Sequence, residues 1–407
     1  MSVTTAEQYY VIPLSVQKDG DDYLVGNAEM GDFYQFPEQG VKIIDMLKSG
    51  LSAPTIQARL QEEYQETVDV DGFVEQLTSI GFVHPEDQKL NAQARLEAAA
   101  HDTRRTFNVD PRIARAIFSP PALLCYFAVV IYAVFGVINE PALRINFSAF
   151  YVETWRTPFL LLVLTLALVH VACHEMGHML AAARHGIKSK YGISNRLWMI
   201  VAESDLTGIL TLPRAQRYFP MLAGVMVDVL WASLLTILIK VLLRSNASPF
   251  AVQLVQALVL DIVISIRWQF DVFVKTDLYF VVCNYFRHPD LDRDARAYLR
   301  DLLHRVTFGR YGTVAPGSFQ SLNAVRVFST MWLFGRALSF LVFFGVFLPT
   351  MAKYVISAAQ LAMGPPTSAW IVMDAFGYVA IMLMMIGAGM FVWIKKMIAP
   401  SYKGEGS

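Results

Sequence analysis

Six long apolar segments constrain the fold of this chain more than any other feature of its sequence. A helix needs about twenty predominantly apolar residues to cross the hydrocarbon core of a bilayer, and most of the segments approach or exceed that length. They lie at about residues 121–138, 157–183, 217–243, 250–283, 326–355 and 370–394. The fourth is too long for one straight span, and we expect it to break or leave the membrane near Arg267 to Lys275. The pattern predicts a polytopic α-helical membrane protein with about six transmembrane helices.

Composition and the distribution of charge agree with a membrane location. Hydrophobic residues make up 55% of the chain and charged residues only 17%. Lys and Arg gather before the first segment (four arginines between 104 and 115), between the second and third, after the fourth and after the sixth. By the positive-inside rule, we expect a multi-pass protein of the cell membrane with both termini cytoplasmic. The formal net charge is zero, so nothing indicates a nucleic-acid partner.

The first 86 residues have the pattern of a small α+β domain. Apolar and polar residues alternate at 9–16, 22–28 and 31–36, which is typical of strands. Three short helical patterns follow at about 37–50, 52–64 and 70–80, and a strand-like Phe82-Val83 comes after them. The order predicts a winged-helix-like domain at 1–86, a linker with a juxtamembrane helix at 87–120, and a transmembrane domain at 121–400.

A metal-binding motif lies near the end of the second segment, in His174-Glu175-Met176-Gly177-His178. The spacing of four residues places both imidazoles on one face of a helix. Such a pair holds Zn²⁺, and the glutamate takes a proton from the metal-bound water. The alternative is a group of polar residues at a helix end, but ionisable groups in an apolar helix are costly unless they serve a function. The motif predicts zinc ligands at His174 and His178 and a catalytic Glu175.

A catalytic zinc site needs a third protein ligand and keeps its fourth position open for water. Candidates in or near the third and fourth segments are Asp228, Asp261, Asp271 and Asp277. The second segment enters from outside, so His174 lies about 25 Å along it, toward the cytosolic leaflet, at roughly 1.5 Å per residue. This depth favours the cytosolic end of the fourth segment and leaves Asp271 and Asp277 open.

Two stretches beyond the histidine motif carry a resemblance to a known family. FVKTDLYF at 273–280 matches a K/R-x-D-G-Y-Y-x-L pattern, with Leu278 in place of the glycine, and AGVMVD at 223–228 is similar to A-G-P-x-x-N. With HEMGH, they resemble the site-2 protease superfamily of intramembrane zinc metalloproteases, in particular its peptide-maturation branch. The Asn and Pro that often precede the aspartate in the wider superfamily are absent. The resemblance implies that Asp277 is the third ligand, with Asp271 in reserve. A polar side chain at Asp228 would either line the substrate path or form a hydrogen bond between helices, and we assign Asp228 no catalytic role.

The N-terminal region carries a second resemblance, through GVKIIDMLKSGLSAPTIQARLQEEY and VDVDGFVEQLTSIGFV after an opening sheet. The pattern is similar to the PQQ-biosynthesis D-protein family, which recognises leader peptides of ribosomally made, modified peptides. The resemblance implies that a peptide adds as a strand at the sheet edge. A DNA-binding or purely structural winged helix is the alternative, but no basic stripe marks the second or third helix.

Two neighbours of the motif leave alternatives open. The segment Leu197 to Asp205 alternates in part, which fits a short β-hairpin arm holding an extended substrate or a plain surface loop equally well. His170 lies one turn before His174, and we favour a hydrogen bond within the bundle over a role in the metal site. The three cysteines, Cys125, Cys173 and Cys283, follow no paired spacing, and we expect reduced thiols.

The sequence thus predicts an intramembrane zinc metalloendopeptidase that cuts a precursor or leader peptide on the cytosolic side. Its partners would be a peptide or protein substrate and the lipid bilayer. One alternative is a regulatory protease that cuts a transmembrane anchor. Another is a non-proteolytic partner in peptide export or immunity, although such a protein has no need of Glu175.

Overall fold

The computed structural model describes residues 8–65, 68–100, 106–107, 109–196, 199–288, 291–313, 319, 321–364 and 368–398. Two of the arginines before the first apolar segment, Arg104 and Arg105, and the dipeptide Leu197-Trp198 lie outside this part of the chain.

The N-terminal region contains the three helices and the final strand that its sequence predicts, but the predicted strand at 9–16 is divided into two, which Pro13 separates. Its elements are β1 (Tyr9–Val11), β2 (Ser15–Asp19), β3 (Asp22–Asn27), β4 (Asp32–Phe36), α1 (Glu38–Lys48), α2 (Ala53–Tyr64), α3 (Val70–Ser79) and β5 (Val83–Pro85). β2, β3 and β4 form an antiparallel sheet, and β1 pairs antiparallel with β5. Apolar side chains from both sheets and all three helices share one core, which includes Val25, Ile44, Ile56, Leu77 and Phe82.

Short elements connect this region to the first long helix. They are α4 (Lys89–Ala100), β6 (Thr106–Phe107) and α5 (Pro111–Ile117), and α6 (Pro120–Asn139) follows them. Asp110 caps the start of α5 by accepting a hydrogen bond from the backbone N–H of Arg112.

The remaining elements are mostly long helices. They are α7 (Arg156–Ala183), β7 (Ser189–Arg196), β8 (Met199–Asp205), α8 (Arg214–Arg244), α9 (Pro249–Trp268), α10 (Asp277–Phe286), α11 (Leu291–Val306), α12 (Leu322–Val342), α13 (Leu348–Met363) and α14 (Ala369–Ile398). Six helices in the described part of the chain are long and apolar enough to cross a membrane: Pro111–Asn139, Arg156–Ala183, Arg214–Arg244, Pro249–Trp268, Leu322–Met363 and Ala369–Ala388. Their number agrees with the six apolar segments that the sequence shows.

The fourth apolar segment breaks where its length predicts. α9 ends at Trp268, and α10 begins at Asp277 after a loop in which Lys275 takes a left-handed φ of 57°. The hydroxyl of Thr276 donates to the carbonyl of Gln269 at 2.7 Å and closes this loop. The break therefore gives α10 its own N-terminus, with Asp277 as its first residue.

The fifth apolar segment is longer than the predicted 326–355. α12, a π-helical turn at Phe343–Phe347 and α13 form one continuous helix of 42 residues, Leu322–Met363. Pro349, which cannot donate a backbone hydrogen bond, lies just after the π-helical turn, as expected for a local change in helix pitch.

The hairpin arm starts earlier than the sequence predicts. β7 pairs antiparallel with β8 from Lys190 opposite Asp205 to Arg196 opposite Met199, and β6 pairs with the beginning of β7. The prediction of a hairpin within Leu197 to Asp205 was therefore wrong about its first strand, which lies before Leu197. The pattern gave no signal there because β7, with the sequence SKYGISNR, is largely polar.

The N-terminal region contacts the helical part through charged groups. Asp19, at the end of β2, lies 3.7 Å from a guanidinium nitrogen of both Arg217 and Arg287. Gln35 of β4 also donates a hydrogen bond to the backbone carbonyl of Arg287 at 3.2 Å. These contacts hold the strand region against the beginning of α8 and the end of α10.

Candidate metal centre

Three ligand atoms from α7 and α10 converge at one buried point. The Nε2 atoms of His174 and His178 lie 3.2 Å apart, and each is 3.1 Å from Oδ2 of Asp277. Both histidines are buried, and Asp277 is partly exposed. Among the described residues, this is the one group of three metal-ligating side chains with its ligand atoms within 4.8 Å of one another.

The partners of the two imidazoles determine which nitrogens carry protons. Nδ1 of His178 lies 2.7 Å from the backbone carbonyl of Pro220, which can only accept, so Nδ1 is the donor. Nδ1 of His174 lies 2.9 Å from a carboxylate oxygen of Asp228 and donates in the same way. In the neutral ring each Nε2 then has a lone pair directed at Asp277. Three such lone pairs repel one another unless a cation lies between them.

The geometry fits a tetrahedral zinc site. With zinc–nitrogen and zinc–oxygen bonds of about 2.0–2.1 Å, ligand atoms at the corners of a tetrahedron are about 3.3 Å apart. The observed separations are 3.1 and 3.2 Å. Two imidazoles and one carboxylate are also a ligand set of catalytic zinc enzymes, which keep a fourth position open. His174, His178 and Asp277 can therefore hold Zn²⁺.

Two glycines, Gly177 on α7 and Gly224 on α8, allow the two helices to pack closely at this site. A Cβ atom on Gly224 would lie 2.3 Å from Nε2 of His178 and 2.5 Å from Nε2 of His174. A Cβ atom on Gly177 would lie 2.7 Å from a methyl carbon of Val227 and 3.0 Å from the carbonyl oxygen of Ala223. The small residues thus let the α8 backbone approach the imidazoles directly.

Asp228, a candidate ligand to which the sequence analysis assigned no catalytic role, forms hydrogen bonds between α8 and α7. Its side chain is fully buried, and Oδ1 accepts hydrogen bonds from Nε2 of His170 at 2.8 Å and Nδ1 of His174 at 2.9 Å. Asp228 therefore positions a predicted ligand, although we had assigned it no catalytic role. His170 takes part in the hydrogen bonding that we favoured for it, through a carboxylate that also contacts the metal site. The sequence did indicate this position, because Gly224 and Asp228 are one helical turn apart in AGVMVD and therefore lie on the same face of α8.

Asp228→Asn is expected to weaken zinc binding about 10- to 100-fold, because a carboxylate behind a ligating imidazole orients the ring and raises its basicity. Zinc titration of the purified protein measures this change. Thr236→Val is the matched control, since Thr236 is also buried on α8 but, within the described part of the chain, bonds only to its own helix, at the carbonyl of Ala232. An unchanged zinc affinity in Asp228→Asn would show that Asp228 has only a packing role.

The structure distinguishes Asp277 from Asp271, the two candidate third ligands between which depth in the membrane did not decide. The backbone N–H of Asp277 donates to the side-chain oxygen of Gln269 at 3.1 Å, which fixes the start of α10. Oδ2 of Asp277 lies 3.1 Å from Nε2 of both His174 and His178. Asp271 instead accepts hydrogen bonds from Arg267 and Ser339, each at 2.9 Å, and is thus bonded toward α12.

Glu175 lies beside the ligands and is held by the hairpin. The hydroxyl of Ser204, on β8, donates to Oε2 of Glu175 at 2.7 Å. Glu175 is half-buried and directly follows His174 on α7. A hydrogen-bonded carboxylate thus lies on the same turn of α7 as the two imidazoles, as expected for acid–base chemistry on a metal-activated water.

No protein-family model, curated protein or solved structure matches this chain.

Proposed function

We propose that this protein is a membrane-embedded, zinc-dependent peptidase that hydrolyses a peptide bond in a precursor or leader peptide. The convergence of His174, His178 and Asp277 beside Glu175 carries this proposal. When bound, zinc would polarise a peptide carbonyl and lower the pKa of a water molecule.

The chain's own side chains divide the remaining work. Glu175 accepts a proton from the attacking water and returns it to the nitrogen of the leaving amine. Ser204 donates to Oε2 and holds the carboxylate in place, which leaves Oε1 for the proton transfer. Asp228 and the carbonyl of Pro220 keep His174 and His178 in the tautomer that presents Nε2.

The hairpin supports an extended peptide as the substrate. A helical peptide hides its carbonyls within its own hydrogen bonds, so a bond to be cut must first be extended. β8 pairs with β7 alone among the described strands, and its Ser204 contacts Glu175. A peptide added along β8 would have its backbone next to the proposed general base.

The position of the N-terminal region supports recruitment of that peptide. Arg217 lies seven residues before Gly224 on α8, and Arg287 follows the end of α10. At about 1.5 Å per residue, these contact points lie roughly 10–15 Å along the helices from the metal site. A peptide bound to the N-terminal sheet would therefore be concentrated near Glu175.

Glu175→Gln is expected to lower the cleavage rate about 10²- to 10⁴-fold, because the amide cannot accept the proton. Zinc content should stay at the wild-type level, since Glu175 is not one of the three converging ligands. The detergent-purified protein is incubated with a peptide library, and cleavage sites are mapped by mass spectrometry. Glu153→Gln, an exposed loop position, is the matched control. Equal cleavage by Glu175→Gln and wild type would exclude this mechanism.

A second comparison distinguishes peptide maturation from the cutting of a transmembrane anchor. The preferred library sequence is prepared both as a soluble peptide and fused to a single apolar helix in the same detergent. Maturation predicts faster cleavage of the soluble form. Preference for the anchored form would favour a regulatory intramembrane protease instead.

A further inference from the structure

An open cavity of about 700 Å³ lies between α11 and α12, with Phe273 also in its lining. Three arginines line it: Arg296 and Arg300, one turn apart on α11, and Arg336 on α12. Much of the remaining lining is apolar and comes from both helices, including Leu299, Leu302, Leu303 and Leu333. The cavity thus combines a cationic group of side chains with an aliphatic surface.

Among the described residues, the acidic side chains of α11 pair with Arg296 but with neither Arg300 nor Arg336. Asp292 pairs with Arg296 at 2.7 Å, and Asp301 pairs with Arg305 at 2.6 Å. Arg300 has no carboxylate within ion-pair distance in the described part of the chain. Arg336 has none there either, and its guanidinium lies 4.8 Å from the ring centre of Phe273 and 4.7 Å from that of Trp332. The aromatic rings hold Arg336 in place but leave its positive charge uncompensated.

The length of the α12–α13 helix places the cavity at a membrane surface. Forty-two residues extend about 63 Å at 1.5 Å per residue, roughly twice the hydrocarbon thickness. No charged residue occurs between Arg336 and Lys353, a distance of about 25 Å along the helix. The part before Arg336 packs instead against α10 and α11, through Ala324 and Phe328. Arg336 therefore lies at one boundary of the apolar span.

The end of α11 also has the composition of a helix lying on a membrane. Leu302, Leu303 and Val306 are 42%, 47% and 68% exposed, and Phe308, just after the helix, is 96% exposed. The arginines occupy the same stretch of helix. Exposed aliphatic side chains beside basic groups are typical of a helix in the interface between headgroups and acyl chains.

We propose that this cavity binds an anionic phospholipid. The headgroup phosphate would contact Arg300 and Arg336, with Arg296 at the rim, since guanidinium groups bind phosphate oxygens in a bidentate manner. An acyl chain would lie on Leu303 and Leu333. The site involves none of the proposed zinc ligands, so it stands independently of the proposed peptidase activity.

The test uses the full chain in detergent, titrated with dioctanoyl phosphatidylglycerol and followed by native mass spectrometry. Dioctanoyl phosphatidylcholine and inorganic phosphate are titrated in parallel. Tight binding is expected for phosphatidylglycerol alone. Equal binding of phosphatidylcholine would overturn a role for the arginines, and equal binding of inorganic phosphate would identify a free-phosphate site instead of a lipid site.

Two pairs of substitutions localise the binding. Arg300→Gln with Arg336→Gln is expected to weaken phosphatidylglycerol binding roughly 20- to 30-fold, at about five-fold per arginine. Arg293→Gln with Arg310→Gln removes the same charge outside the cavity. This pair should change binding less than about two-fold, because neither side chain lines the cavity. Arg300→Gln alone tests the site if the double variant is unstable, because Arg300 is exposed. Equal losses in the two pairs would overturn the proposal.

Discussion

Asp277→Asn is expected to lose zinc and with it all detectable peptide hydrolysis, whereas Asp271→Asn is expected to retain the metal. The carboxylate of Asp277 is one of three converging ligand atoms, 3.1 Å from each imidazole. Structural zinc sites bind with about 10–16 kcal/mol, so one ligand contributes on the order of 3 kcal/mol, or about a hundredfold in affinity. Without zinc, the pKa of the attacking water would rise back to that of bulk water, and hydrolysis is expected to fall by more than about 10⁴-fold.

The two variants form a matched pair, because both remove one aspartate charge from the region between α9 and α10. Burial raises the pKa of Asp271 against the opposing effect of Arg267, and its side chain is bonded to Arg267 and Ser339. Asp271→Asn should therefore lower the melting temperature without changing zinc content. Elemental analysis after dialysis, together with the peptide-library assay, measures both. Zinc loss in Asp271→Asn with retention in Asp277→Asn would reverse the assignment.

The parts of the site that share one helix could be predicted from the sequence. Four-residue spacing puts His174 and His178 on one face whatever surrounds them, and the structure places their Nε2 atoms 3.2 Å apart. Asp277 followed from a resemblance, since depth alone did not separate it from Asp271. What separates them is the set of bonds that each residue forms: Gln269 in the loop bonds the backbone N–H of Asp277, and Arg267 near the end of α9 bonds the carboxylate of Asp271. Spacing along the chain carries no information about those bonds.

Contacts between helices were harder to predict from the sequence than features within one helix. A buried aspartate in an apolar helix indicates a polar partner but does not identify it, so the sequence did not show that Asp228 accepts a hydrogen bond from His174. The same holds for the fold. Apolar length predicted six spans, but the part of α12 before Arg336 is stabilised by packing on α11, which hydropathy does not reveal. β7 was missed because polar strands depend on their pairing partners.

Gly224→Ala is expected to abolish zinc binding although no ligand is changed. The added Cβ would lie 2.3 Å from Nε2 of His178 and 2.5 Å from Nε2 of His174. Ordinary contact requires a separation about 1 Å greater, whereas metal ligands tolerate shifts of only about 0.2 Å. The imidazoles cannot retreat easily, since their Nδ1 atoms are bonded to Pro220 and Asp228.

The control for this variant is Gly387→Ala on α14, where an added Cβ meets nothing within 4 Å. Alanine favours a helix over glycine by about 1 kcal/mol, so both substitutions gain the same helix propensity. Zinc content and melting temperature are measured for both variants and wild type. Gly387→Ala should keep its zinc, and Gly224→Ala should lose it while remaining folded. Full zinc content in Gly224→Ala would mean that α7 and α8 separate readily. In that case close packing between the helices would not be what holds the two imidazoles together.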